Sequence, residues 1–268
     1  MKTKTLLTLI IAILFIAPTF SQETFKEQLV VPLSDPGKAG KLEVNLVAGS
    51  IEVIAYDGKD VIIDIVAEMK KISQEKKEGM TRISGSSIDF SAEEDNNTVS
   101  VETSSWKNPV DIKVKVPKNF DLDISTVNNG HLHVTGVRGN IEASNVNGEI
   151  IMEDVGGSVL ANTVNGKLVV DMVNVSADVP MSFTNLNGEI NVTFPSDLKA
   201  TCRMKSDMGE IFTDFTMEVE KRKPKVDKKS SKGVYKVEID EWIMGDINGG
   251  GPTYTFKSFN GDIYIKKK

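Results

Sequence analysis

VNNGHLHVTGVRGNIEASNVNGEIIMEDVGGSVLANTVNGKLVV, residues 127–170, repeats itself every nine positions. Glycine returns at Gly130, Gly139, Gly148, Gly157 and Gly166, followed two positions later by Leu132, Ile141, Ile150, Val159 and Leu168. Valine stands two positions before the last four glycines, at Val137, Val146, Val155 and Val164, and Asn128 holds that place in the first copy. A fixed short period marks stacked architectures, in which each unit buries its apolar face only against its neighbours.

Asn-Gly between alternating apolar residues is also the strongest short hairpin signal, so an antiparallel meander is the rival reading. Parity opposes it. With a strand from Glu149 to Val155, Ile150 and Met152 would face one side and Val155 the other. Placing the glycine inside the strand puts Val146, Gly148, Ile150 and Met152 on one face and moves the turns to Ser144-Asn145, Glu153-Asp154 and Asn162-Thr163. A slower period supports stacking, because the Val-Asn-Gly contexts of Asn147 and Asn165 lie 18 residues apart. The expected fold is therefore all-β, a β-solenoid of the parallel β-helix type with two nine-residue sides per coil. In such a stack Asn147 and Asn165 would hydrogen-bond up the ladder.

Outside the repeat, alternation predicts strands in residues 42–46, 51–54, 61–66, 88–90, 98–101, 111–116 and 122–124. Residues 69–85 read as a charged loop or short helix. The unit continues at Gly188, Gly209 and Gly261 with looser spacing, interrupted by a lysine-rich stretch, 219–233, expected to be a loop. The N-terminus carries Lys2 and Lys4 before an uncharged run, residues 6–17, closed by Pro18, the pattern of a secretory signal peptide ending at Ser21. Twelve helical residues span about 18 Å, short of a ~30 Å hydrocarbon core. The expected organisation is a leader over 1–21, an N-terminal β region over 22–126 continuous with the stack, and the repeat stack proper over 127–268, with no transmembrane segment after the leader.

Loss of the leader's two lysines takes the formal net charge from −6 to −8, which opposes nucleic acid as a general partner. Cys202 is the single cysteine, so no internal disulfide can form, and it reads as a small buried hydrophobe.

The Gly-x-Ile units, the strand end Val114-Lys115-Val116-Pro117, and the closing Asp246-Ile247-Asn248-Gly249-Gly250-Gly251 with Phe259-Asn260-Gly261-Asp262-Ile263-Tyr264-Ile265 resemble the bacterial putative-adhesin domains with β-strand repeats. These domains of unknown function are related to the head domains of autotransporter adhesins. The likeness spans roughly residues 42–268. It implies a right-handed β-solenoid on an exported, envelope-associated protein, and it carries over no catalytic residue and no cofactor.

His131 and His133 are the only histidines, and with Glu149 one coil on they would supply a partial ligand set. Zinc wants three or four ligands, so the exposed polar surface is the favoured reading, and no metal or cofactor is assigned. The calcium-binding nonapeptide needs extra glycines and an aspartate per unit, which are absent. The outward positions His131, Asn140, Glu149, Ser158, Lys167 and Glu189 form a mixed surface without the converging carboxylates of a polysaccharide-cleaving site. Trp242, Tyr254, Phe256 and Phe259 would be either a carbohydrate-stacking platform or core. The functional expectation is an exported, non-enzymatic adhesin or envelope scaffold whose partner is a cell-surface glycan or envelope protein. Its alternatives are a polysaccharide-active enzyme and a periplasmic regulatory binding module.

Overall fold

A computed structural model of the chain describes residues 23–69, 76–77, 80–81, 90–103, 108–220, 225–231, 234–240 and 242–268. The proposed leader, most of 69–85 and residues 88–89 lie outside them. The described residues contain strands and no helix, arranged in a 10-stranded and an 11-stranded mixed sheet with no closed barrel.

The chain crosses between the two sheets at each step. Phe120–Asn128, Ile141–Asn147, Val159–Asn165 and Met181–Asn187 lie side by side in the larger sheet, whereas Leu132–Thr135, Ile150–Val155, Leu168–Met172 and Ile190–Phe194 lie side by side in the smaller. All of these neighbours pair in parallel, with Ile141 opposite Val159 and Ile150 opposite Leu168. Parallel partners ordinarily need a long crossover. Here the strand in the opposite sheet is the crossover, and so short corners suffice. The parallel pairing excludes the meander.

Alternation sets which side chains face inward. Ile51, Leu132, Ile150, Leu168, Ile190 and Ile263 stack in one fully buried column of the smaller sheet. Facing them, Ala143 and Ala161 of the larger sheet are followed along the stack by Phe183 and Phe256, whose rings stack 5.1 Å apart. Dispersion among such closely packed columns supplies the cohesion that β-branched alternation predicts.

Both ends depart from sequence order in the same way. Thr253–Asn260 inserts between Met181–Asn187 and Ala200–Ser206, and Gly40–Ala48 lies between Phe120–Asn128 and Thr98–Glu102. Beyond these, antiparallel strands close the stack. Asp60–Met69 and Glu23–Pro32 add at one end, Ile243–Ile247 and Met217–Glu220 at the other. Antiparallel closure replaces a repeating edge with an irregular one, a device against edge-to-edge aggregation.

Three local expectations are corrected. Strands run straight through Ser144-Asn145 and Asn162-Thr163 and break instead at Gly148-Glu149 and Gly166-Lys167. The glycine is thus a corner between sheets, so parity does not carry across it. Val137 and Val155 are buried as expected, but Val146 and Val164 face outward and are half-buried, because Asn145 and Thr163 take the inward places. Glu153-Asp154 does break the ladder, with Asp154 at φ 53° and a register shift after Met152. The lysine-rich loop is the third correction: Met217–Glu220 is a strand, and Lys225–Ser231 pairs antiparallel with Val234–Asp240. The two-residue spacing of Tyr235, Val237 and Ile239 is the alternating signal that the lysines obscured. Within 69–85, the described residues Lys76–Lys77 and Met80–Thr81 pair as a short β ladder.

Candidate functional site

Asn-Gly turns the chain from the larger sheet into the smaller at Gly148, Gly166, Gly188 and Gly261, and these glycines stack. A Cβ on Gly148 would lie 1.9 Å from the Gly130 carbonyl oxygen, so no side chain fits. The backbone ladder continues around the corner, Gly148 N–H donating to Asn165 O at 2.8 Å and Ile150 N–H to Lys167 O at 3.0 Å.

Two polar columns hold this corner. On the outside, Asn165 Nδ2 donates to Asn147 Oδ1 at 2.9 Å and Asn187 Nδ2 to Asn165 Oδ1 at 2.8 Å, the amide ladder expected from the 18-residue period. On the inside, Thr126, Asn145, Thr163 and Ser206 each donate to the glycine carbonyl of a neighbouring coil, at 2.8, 2.9, 3.0 and 2.9 Å. Sequence reading missed this inner column. Its signal is a Thr, Asn or Ser three positions before the corner glycine at Asn145, Thr163, Asn185, Ser206 and Ser258, and four before Gly130 at Thr126.

Between the two polar columns an apolar row faces solvent. Val47, Val127, Leu186 and Phe259 are 38, 39, 45 and 46% exposed, and the half-buried Val146 and Val164 join them in register. Beside it runs a row of small polar side chains, where Ser125 donates to Asn45 at 2.6 Å and Ser144 to Asn162 at 2.9 Å. A shallow groove of about 420 Å³ opens between Val164, Leu186, Phe259 and Lys257.

The histidines lie on the smaller sheet and engage separate carboxylates. His131 Nδ1 is 3.9 Å from Glu149 Oε1, and His133 Nε2 is 3.1 Å from Glu153 Oε2. Glu149 also pairs with Lys167 at 3.3 Å, and no group of three metal-type ligands gathers among the described residues. Of the other outward positions, Ser158 is buried and donates to Asn140 at 2.7 Å on the opposite corner.

The aromatic set does not form a platform. Tyr254 and Phe256 are fully buried, packing against Phe194 and Phe183, while Phe259 belongs to the exposed row and Trp242 carries the Arg203 guanidinium 3.7 Å above its ring. An exposed stack exists elsewhere: Phe212 lies on Tyr264 with centroids 5.1 Å apart.

Cys202 is buried, as its composition suggested, and burial pushes its thiol up to about 12. Between the usual thiol range near 9 and that value the unfolded chain binds fewer protons than the folded one. This group's contribution is therefore complete below about pH 9 and is lost as pH rises toward 12.

No family model matches the chain, and no characterised protein matches it in sequence. In structure it is similar to a putative cell adhesion protein from Clostridium sporogenes, with 13% identity and a TM-score of 0.46 over 92% of this chain and 100% of that one. It is also similar to a putative adhesin from Bacteroides fragilis, with 12% identity and a TM-score of 0.34 over 92% of this chain and 98% of that one. No helix among the described residues is long and apolar enough to cross a membrane.

Proposed function

We propose that the chain is an exported, non-enzymatic binding protein of adhesin type, built as a two-sided β-solenoid continuous from residue 40 to the last strand. Residues 1–21 serve as its leader. It holds a cell-surface glycan or envelope protein along the outer face of the larger sheet. The observation that carries this reading is the unbroken solvent-facing row Val47, Val127, Val146, Val164, Leu186 and Phe259. A regular sheet face has no folding reason to place large apolar side chains outward in every coil, and contiguous exposed apolar surface marks interaction sites. Stacked repeats suit extended partners, since each coil adds the same contact at a rung spacing of about 4.8 Å.

The test is retention of the fluorescently labelled chain on bacterial cells or isolated envelopes. The double variant Leu186→Asp/Phe259→Asp is expected to lower retention at least about tenfold with the Tm unchanged, a loss of roughly 1.4 kcal/mol or more. Protease treatment of the envelopes removes binding if the partner is protein, and periodate removes it if the partner is glycan. Retention unaffected by the double variant would remove the sheet face from the function.

A further inference from the structure

The opposite corners, where the chain returns from the smaller sheet to the larger, differ in length. Two of these corners, residues 173–180 and 195–199, break the nine-residue period, and together with residues 248–252, which join two strands of the larger sheet, they enclose one cleft of about 440 Å³. Insertions in repeat proteins gather on one side, commonly the binding side, and volumes of about 300–1,000 Å³ suit small ligands.

The cleft is preformed. Asn248 Nδ2 donates to Leu198 O at 2.7 Å, joining two of the loops, and Leu198 N–H donates to Pro195 O at 3.1 Å. The third loop is anchored to the stack by Ser176 N–H on Gly157 O at 2.8 Å and by Gly157 N–H on Asn174 Oδ1 at 3.2 Å. At Gly251 a Cβ would sit 2.6 Å from the Lys199 carbonyl oxygen, which explains part of the Gly249-Gly250-Gly251 run.

We propose that this cleft takes one neutral or amino sugar unit of a glycan. Val173, Leu198 and Pro252 supply apolar wall for the C–H face of a pyranose ring, while Ser176, Asp178, Asp197 and Lys199 supply acceptors and a donor for its hydroxyls. Tyr254 also lines the cleft, and its buried hydroxyl has no hydrogen-bond partner among the described residues. An unsatisfied buried hydroxyl is costly, and a ligand hydroxyl is the kind of group that would relieve it. Two carboxylates against one ammonium leave the cleft net negative, which selects against uronic acids, sialic acids and phosphates. The site deepens the binding reading above but uses none of the residues of the sheet face.

The test is calorimetric or NMR titration of the full chain with N-acetylglucosamine, glucosamine and glucuronic acid. At least one of the first two sugars is expected to bind saturably with a Kd below ~10 mM, and glucuronic acid at least about tenfold more weakly. Asp197→Asn is expected to weaken binding at least about fivefold, and Ser176→Trp, on an exposed-side loop, to abolish it by filling the cleft with the Tm kept. Absence of saturable binding by both neutral and amino sugars, equal affinity for glucuronic acid, or full affinity in Ser176→Trp would each overturn the proposal. The Leu186→Asp/Phe259→Asp variant is expected to bind the sugar normally, so failure of the sheet-face reading and failure of the cleft are read separately.

Discussion

Every coil turns twice, and the two corners are built by different rules. At the Asn-Gly corner the chain spends one glycine and one further residue, the glycines stack with no room for a Cβ, and polar side chains hold the turn from within and without. At the return corner the length ranges from Gly156-Gly157-Ser158 to the eight residues 173–180. The first corner is fixed because its neighbours above and below occupy the space that any change would need. The second opens to solvent, where loop length costs little. Constraint on one side thus keeps the stack in register, and freedom on the other leaves room for a ligand.

That contrast can be broken most severely at Gly148. Gly148→Val drives a side chain into the Gly130 carbonyl and is expected to cost about 3 kcal/mol or more, a fall in Tm of about 6–12 °C by differential scanning calorimetry. Survival of the full Tm would mean that the corner is loose after all.

Next comes the inner column, where Asn145→Leu removes the donor to Gly130 O and should lower stability by about 1–3 kcal/mol in urea unfolding. Asn145→Thr sharpens the comparison. Asn145 Oδ1 is buried without a partner, whereas Thr163 makes the same kind of bond to Gly148 O through a hydroxyl and leaves nothing unpaired. The threonine variant is expected to be at least as stable as the parent.

A smaller loss, about 0.5–1.5 kcal/mol, is expected for Asn165→Ala, which breaks both rungs of the solvent-exposed amide ladder. Smallest is Asp178→Gly in the return corner. Asp178 sits at φ 56°, which glycine adopts freely, and the change should stay within about 0.5 kcal/mol.

Much of this was legible beforehand, but unevenly. The Leu132, Ile150 and Leu168 column and the Asn147–Asn165 rung follow from period alone, because a stacked chain must place like over like. The direction of Val146 was not legible. It depends on whether the glycine continues a strand or turns a corner, and both satisfy the same spacing. Tyr254 and Phe256 could be surface or core by alternation, and their burial follows from Thr253–Asn260 entering the stack out of sequence order. The lysine-rich stretch hid a ladder because its charge outweighed the alternation of Tyr235, Val237 and Ile239 just beyond it. The cleft had no motif at all, since its walls come from three loops with unrelated sequences.

By itself the sequence determined the all-β class and the nine-residue step, because side-chain alternation and its spacing are local properties that every coil repeats. Only the tertiary structure decided which strands adjoin at the two ends, which way the corner valines point, and which loops meet. Those outcomes turn on contacts between residues far apart in the chain, and no local pattern records them.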